Sequence, residues 1–161
     1  MARACTVPGD GLLQVYVEQG ANYTDCFEAM SPGAVTLPDF IEAFYTTWLF
    51  KLERFVLMLV LRRRISDADV TALAQGADRF AVWTVEARAE DQILLCDLGG
   101  HTRSYLAVSA KDGGVTRLIF GSAVVAPKGK PLGRMVKVLE PVHRFYSKSL
   151  LRLAERKLRY G

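Results

Sequence analysis

The sequence has few of the residues on which most enzyme chemistry depends. It contains two histidines and three cysteines, and Cys5, Cys26 and Cys96 form no CxxC pair. No recognised zinc-binding spacing, GxSxG motif, P-loop or dinucleotide-binding fingerprint is present. The sequence therefore predicts no metal site and no cofactor. The sequence leaves enzymatic activity open, although it argues more against an enzyme than for one.

The chain also lacks a long hydrophobic run. Residues 55–61 form a run of seven apolar residues, far below the ~20 that a helix needs to span a bilayer. The N-terminus MARACTVPGD has no hydrophobic region of the kind found in signal peptides, and the odd cysteine count does not suggest a disulfide framework. We therefore expect a protein of the reducing cytoplasm.

Excess charge is confined to one segment. The formal net charge is +4, and residues 144–159 alone contain six Lys or Arg and one Glu, so the remainder is close to neutral. The segment lacks the interleaved aromatic residues typical of single-strand nucleic-acid binding, so no nucleic-acid partner is predicted. It is either the solvated face of a helix or a contact surface for an anionic partner.

This basic segment belongs to a long amphipathic helix, because apolar residues recur around it at helical spacing. Pro131 is a candidate for its first helical residue, and Pro141 should kink it or divide it into two helices. The predicted apolar face consists of Met135, Leu139, Val142, Tyr146, Leu150, Leu153 and Leu158.

The 161 residues fit one domain. Residues 1–10 are expected to be loose, and residues 11–18 fit either a helix or a doubtful strand. The β-prone segment 22–30 predicts a first strand. Thr36 and Ser66 are N-cap candidates for the two to three helices that should follow it.

After these helices the apolar period changes to two. Four strand-length runs are separated by short turns, which predicts an antiparallel meander. The runs are FAVWTVEARA (80–89), QILLCDL (92–98), TRSYLAVSA (102–110) and VTRLIFGSAVV (115–125).

If each turn of the meander is a two-residue loop, its register can be counted from the turns. Tyr105 then lies opposite Phe120, and Arg103 lies opposite Ser122. The face that carries Trp83, Arg103, Tyr105, Phe120 and Ser122 is the more aromatic one, so we expect it to face the C-terminal helix. A buried Arg103 needs a partner. Asp25, Glu140, solvent and an acidic ligand are the alternatives.

Several stretches resemble a known superfamily. The order of elements, a strand, helices, an antiparallel meander and a long C-terminal helix, is similar to the helix-grip fold of the START-like, or polyketide-cyclase-like, proteins (SRPBCC). The stretches that also resemble an uncharacterised bacterial family associated with it are YTDCF (23–27), DFIEAFYTTWLFKLER (39–54), WTVEAR (83–88), LCDLGGHTRSYL (95–106), FGSAVV (120–125) and PVHRFYSKSLLRLA (141–154).

The resemblance implies an α+β helix-grip fold, in which a curved antiparallel sheet of five to seven strands wraps around the terminal helix. It also implies a cavity for a small hydrophobic or amphipathic molecule, which Arg103 would make suitable for an acidic one. The residues expected to line the cavity are Trp83, Arg103, Tyr105, Phe120, Ser122, Met135, Leu139, His143 and Tyr146, with Arg103 and His143 as polar anchors.

Two alternatives remain open. The same cavity fits a cyclase- or dehydratase-type enzyme with His143 or Tyr146 as the acid or base. The basic helix face and Trp48 fit a peripheral membrane or protein-interaction module. The sequence predicts neither the ligand nor the oligomeric state.

Overall fold

In a computed structural model, the chain is described for residues 1–19, 23–52, 66–126 and 134–161, and only the backbone of residues 134–139 is described. The described residues form an α+β protein. Its strands are β1 (Arg3–Ala4), β2 (Tyr23–Pro32), β3 (Arg79–Phe80), β4 (Trp83–Arg88), β5 (Gln92–Asp97), β6 (Thr102–Lys111) and β7 (Val115–Val124). Its helices are α1 (Gln14–Glu18), α2 (Leu37–Tyr45), α3 (Asp67–Ala74) and α4 (Arg134–Tyr160), and residues 48–52 are also helical.

The seven described strands form one antiparallel sheet in the order β1-β2-β7-β6-β5-β4-β3. The predicted meander is confirmed, because β4, β5, β6 and β7 pair successively. The predicted first strand is also confirmed as β2, which pairs with β7 along its whole length from Tyr23↔Val124 to Pro32↔Val115. Strand β2 thus joins the N-terminal part of the chain to the last strand of the meander.

The counted register is correct beside the Glu90-Asp91 and Gly99-Gly100 turns, and it is wrong at the β6–β7 loop and in the part of β4 that precedes a bulge. Leu94 lies opposite Tyr105, as the Gly99-Gly100 turn predicts. The β6–β7 loop contains residues 112–114 rather than two residues, so Phe120 pairs with Leu106 and not with Tyr105. A bulge at Glu86 shifts β4 against β5 in the same way. Because side chains alternate between the faces of a sheet, each one-residue shift moves a strand's side chains to the other face.

One face of the sheet packs against α2, α3 and α4. Helix α2 begins with a capping box, in which Thr36 and Asp39 bond each other's backbone N–H groups. The core on this face includes Phe27, Phe40, Phe44, Tyr45, Phe80, Ile93, Leu95, Leu106, Leu118, Phe120, Leu150 and Leu151, all nearly inaccessible to solvent. This apolar layer holds α4 against the sheet.

The opposite face is covered by the N-terminal segment. Residues 1–10, expected to be loose, include strand β1, which pairs with β2. Of the two alternatives for residues 11–18, helix and strand, the structure has the helix, α1, at residues 14–18. Leu13 and Tyr16 pack on Leu94, Tyr105, Ala107, Ile119 and Ala123. Both faces of the sheet are therefore buried.

Helix α4 is continuous through Pro141, so it is not divided into two helices there. Val142, predicted on the buried side, is 66% exposed, whereas Leu150 and Leu151 are buried. Pro131, Met135 and Leu139 lie outside the residues whose side chains are described. None of the helices in the described ranges has both the length and the hydrophobicity of a membrane span.

Candidate functional site

A cavity of about 220 Å³ lies between the sheet and α4. Its floor comes from β4, β6 and β7, and its other walls come from α2, the helical residues 48–52 and α4. The lining residues are Phe44, Phe50, Trp83, Thr102, Arg103, Ser104, Phe120, Ser122, Ala123, Val124, His143, Tyr146 and Leu150. Most of these side chains are apolar or aromatic, as in typical small-molecule sites.

Aromatic rings make up much of the cavity wall. The ring centroids of Phe44 and Phe120 are 4.7 Å apart, and those of Phe44 and Phe50 are 6.4 Å apart. Trp83 adds an indole whose Nε1 is buried and has no hydrogen-bond partner among the described residues. A buried donor without an acceptor is costly.

A polar cluster lies at one end of the cavity. The Ser122 hydroxyl donates to Asp25 Oδ1 at 2.6 Å and lies 2.8 Å from Nε2 of His143. His143 Nε2 is 3.5 Å from Asp25 Oδ2 and 3.5 Å from the Ser147 hydroxyl. The side chain of Asp25 is only 4% exposed, whereas that of His143 is 38% exposed. The cluster therefore connects a buried carboxylate to a partly solvated imidazole.

The direction of these hydrogen bonds follows from counting protons. Ser122 has one hydroxyl proton, and it is donated to the carboxylate of Asp25. The contact with His143 then requires the imidazole Nε2–H to donate to the serine oxygen. In a serine-hydrolase triad the histidine accepts the serine proton and its other nitrogen faces the aspartate. This cluster has neither feature, so it is not arranged to activate Ser122 as a nucleophile.

Tyr23 borders the same cluster. Its hydroxyl lies 3.4 Å from Asp25 Oδ2, and its ring is edge-on to that of His143 with centroids 6.4 Å apart. Burial, followed by the negative charge of Asp25, raises the pKa of the Tyr23 phenol well above its usual value. Tyr23 is therefore a neutral hydrogen-bond donor at ordinary pH.

Arg103 does not serve as an anchor in the cavity. Although the residue borders the cavity, its guanidinium lies on the opposite face, with Nε 2.7 Å from Glu86 Oε2 and 3.0 Å from the Tyr16 hydroxyl. Burial alone would lower the pKa of Arg103, but Glu86 and Tyr16 outweigh it and raise that pKa. Arg103 thus has a partner, as a buried arginine requires, but the partner is Glu86 and not Asp25 or Glu140, the two candidates named from the sequence.

Tyr105 is also on the opposite face. It is completely buried, and its hydroxyl donates to Gln92 Oε1 at 2.9 Å. The expectation that Tyr105 lines the cavity is therefore wrong, because the three-residue β6–β7 loop places Leu106 rather than Tyr105 on the same face as Phe120.

The structure brings five other predicted residues together around the cavity, namely Trp83, Phe120, Ser122, His143 and Tyr146. The sequence interpretation missed Phe44, Phe50 and Leu150 as wall residues. It considered Asp25 only as a partner of Arg103. A signal for Asp25 was present, since an acidic residue between the aromatic residues Tyr23 and Phe27 of a predicted strand needs a partner if it is buried.

In the described ranges, no three His, Cys, Asp or Glu side chains come close enough to hold a metal ion.

The exposed surface is relevant to the membrane or protein-partner alternative. Trp48 is 65% exposed, and on α4 the cations Arg144 and Arg159 pair with Glu140 and Glu155 one turn away. That alternative stays a prediction.

Comparisons with known proteins give little further information. No protein-family model matches the chain, and no curated protein matches it. Solved structures do match, among them a conserved protein of unknown function from Enterococcus faecalis. That protein is 14% identical, with a TM-score of 0.42, and the match covers 93% of this chain and 85% of that chain. A likeness of this degree does not indicate a function.

Proposed function

We propose that the chain is a helix-grip protein that binds a small, neutral, amphipathic molecule between its sheet and α4. The observation that carries the proposal is the cavity itself, which has aromatic walls, an unpaired indole N–H from Trp83 and a polar cluster at one end. Sites for small molecules typically combine a mainly apolar lining with a few well-placed polar groups.

The volume of the cavity limits the size of the ligand. An apolar cavity of about 150 Å³ can hold one benzene molecule. The present cavity is about 220 Å³, below the roughly 300–1,000 Å³ usual for drug-sized ligands. A single ring with a short substituent fits this space better than a lipid or a polyketide chain.

The charges around the cavity favour a neutral ligand. The guanidinium of Arg103 is engaged with Glu86 on the other face, whereas the buried carboxylate of Asp25 lies at the polar end. An anionic ligand would lie near this carboxylate, and Arg103, the one Arg or Lys among the described lining residues, is engaged elsewhere. A carbonyl or hydroxyl oxygen could instead accept a hydrogen bond from Trp83 Nε1. The proposal therefore keeps the small amphipathic ligand predicted from the sequence but favours a neutral molecule over the acidic alternative that the sequence left open.

The test compares three probes of similar size, acetophenone, ethylbenzene and benzoate, by ligand-observed NMR and calorimetry. We expect acetophenone to bind best and benzoate worst. Trp83→Phe keeps an aromatic ring but removes the N–H, so it should weaken acetophenone binding about 2- to 12-fold, the equivalent of a ~0.5–1.5 kcal/mol hydrogen bond. The exposed Trp48→Phe is the matched control and should change nothing.

Two results would contradict the proposal. One is the absence of binding for all three probes together with a ligand-free mass of the purified protein in native mass spectrometry. The other is stronger binding of benzoate than of acetophenone, which would indicate an anion site and restore the acidic-ligand interpretation.

The hydrogen-bonded chain Asp25–Ser122–His143 favours a second candidate, an enzyme that uses the same cavity for acid–base chemistry. Because Nε2 of His143 bonds Ser122, the proton given to a bound ligand would come from Nδ1 of the charged imidazole, which Ser122 and Asp25 would stabilise through Nε2. In that case His143→Gln should abolish turnover of a bound ligand while its affinity changes little. Turnover that survives this substitution would remove His143 from the chemistry.

A further inference from the structure

Two cysteines lie opposite each other where the chain leaves β1 beside β2. The β1–β2 register pairs Arg3 with Glu28 and Ala4 with Phe27, and the next pair in that register is Cys5 with Cys26. The Cys5 N–H donates to the Cys26 carbonyl oxygen at 3.0 Å. Their Sγ atoms are 3.3 Å apart, and both residues are free thiols.

This geometry suits a disulfide bond. Directly opposite residues in an antiparallel pair have Cα atoms about 4.5–5.5 Å apart, which lies within the roughly 4.4–6.8 Å range of disulfides. The sulfur atoms would need to approach each other by only about 1.3 Å to reach a bonding distance of ~2.05 Å. Rotation of the two side chains can supply this movement without a change in strand pairing.

The pair is also accessible from one side. A pocket of about 490 Å³ is lined by Ala4, Cys5, Thr6, Val7, Gln14, Val17, Thr24, Asp25, Cys26, Phe27 and Arg144. Cys5 is half-buried, whereas Cys26 is only 5% exposed. A small molecule in the pocket would therefore meet Cys5 first and Cys26 behind it.

We propose that Cys5 and Cys26 are a redox-active dithiol that closes to an intramolecular disulfide by exchange with a low-molecular-weight disulfide. The Cys5 thiolate attacks one sulfur of the small disulfide, the S–S bond breaks, and one small thiolate leaves. Cys26 then loses its proton and attacks Cys5 Sγ, and the second small thiolate leaves. Two protein thiols are oxidised, one small disulfide is reduced to two thiols, and the two protons pass to those products.

The environment assigns different roles to the two thiols. The hydrogen bond with Cys26 lowers the pKa of Cys5, and the same interaction together with burial raises the pKa of Cys26. The more accessible thiol is thus also the better thiolate, as expected of an attacking cysteine, and the buried one resolves the mixed disulfide. Closure would covalently attach the N-terminal strand to β2.

The test is to incubate the full chain with oxidised glutathione and to count free thiols after denaturation. We expect the wild type to fall from three thiols to one and to lose the mass of two hydrogen atoms. Trypsin leaves both cysteines in one peptide, 4–51, because no Lys or Arg lies between Arg3 and Lys51. A second cleavage after Glu18 should then yield two peptides that stay joined until they are reduced.

Cys96 supplies the matched control, because its half-buried thiol lies outside the pair. Cys96→Ser should fall from two thiols to none, whereas Cys5→Ser should keep its Cys26 thiol unmodified. The proposal is overturned if the wild type keeps all three thiols. It is equally overturned if a stable glutathione adduct forms on Cys5 without closure, or if the bond joins Cys96 to either cysteine.

Discussion

Replacement of Arg103 by methionine should destabilise the fold rather than remove a ligand contact. The guanidinium contacts Glu86 at 2.7 Å and the Tyr16 hydroxyl at 3.0 Å, and its Nη1 donates to the Gly100 carbonyl at 2.8 Å. Its Cζ also lies 4.8 Å from the centroid of the Tyr16 ring. Methionine keeps most of the aliphatic stem but none of these interactions.

The size of the effect depends on whether the partners of Arg103 can bond water once the guanidinium is removed. Removal of one member of a buried ion pair typically costs about 3–5 kcal/mol, because the other charge stays buried. Here the side chain of Arg103 is 10% exposed, but that of Glu86 is 30% exposed and can turn partly to water. We therefore expect Arg103→Met to lower the free energy of unfolding by about 2–3 kcal/mol.

Urea denaturation of a double-mutant cycle measures this effect. The cycle consists of the wild type, Arg103→Met, Glu86→Gln and the double variant, and it should give a coupling energy of about 1–2 kcal/mol. The exposed Arg152→Met is the control for loss of one positive charge and should stay within about 0.5 kcal/mol of the wild type. The structural reasoning is wrong if Arg103→Met is equally stable but binds carboxylate ligands more weakly.

Three further substitutions test other parts of the structure. Burial alone would raise the pKa of Glu28, but hydrogen bonds from Arg3 and Arg117 lower it. The stabilisation that Glu28 gives the folded state is therefore complete above the unfolded pKa and is lost as the pH falls through the lower folded pKa. Glu28→Gln should therefore cost about 2 kcal/mol at neutral pH and progressively less below about pH 4 in urea melts, and a pH-independent gap would contradict this. A Cβ on Gly121 would lie 2.7 Å from a leucine methyl and 3.1 Å from a strand oxygen, so Gly121→Ala should cost about 1–3 kcal/mol in the same assay, and an unchanged midpoint would refute the close packing. Pro141 lies inside α4 on its exposed side, so Pro141→Ala should stabilise the protein by about 1–3 kcal/mol in thermal melts, and a loss of stability would mean that the fold depends on the proline.

The sequence predicted the order of elements well because turns and caps are local signals. The capping residues Thr36 and Ser66 and the Gly99-Gly100 turn each act over a few residues, and the structure has them where expected. The strands of the meander follow from the same kind of signal, since hairpin partners are close in sequence.

The faces of the sheet could not be assigned reliably, because both are buried. In a sheet with one solvated face, alternation of apolar and polar residues identifies the core side. Here Tyr105 and Leu106 are adjacent and both completely buried, on opposite faces. Hydrophobicity therefore could not correct a register that one extra loop residue and one bulge had shifted.

The cavity itself depends on contacts between distant parts of the chain. Asp25 and Ser122 are 97 positions apart, and Ser122 meets His143 from yet another element. No local pattern indicates which of the polar residues in β2, β7 and α4 will converge. Only the pairing of β2 with β7, and the packing of α4 on both, brings them together.

The position of β2 in the chain has a consequence for biosynthesis. Strand β2 ends at Pro32, and its long partner β7 begins at Val115. At a synthesis rate of ~5–20 residues per second, β2 leaves the ribosome about 4–17 s before its partner does. During that interval the described chain offers it only the two-residue β1 as a neighbour. A nascent strand with an unpaired edge is a target for chaperones and for aggregation, so the speed of translation between these two strands should influence the yield of folded protein.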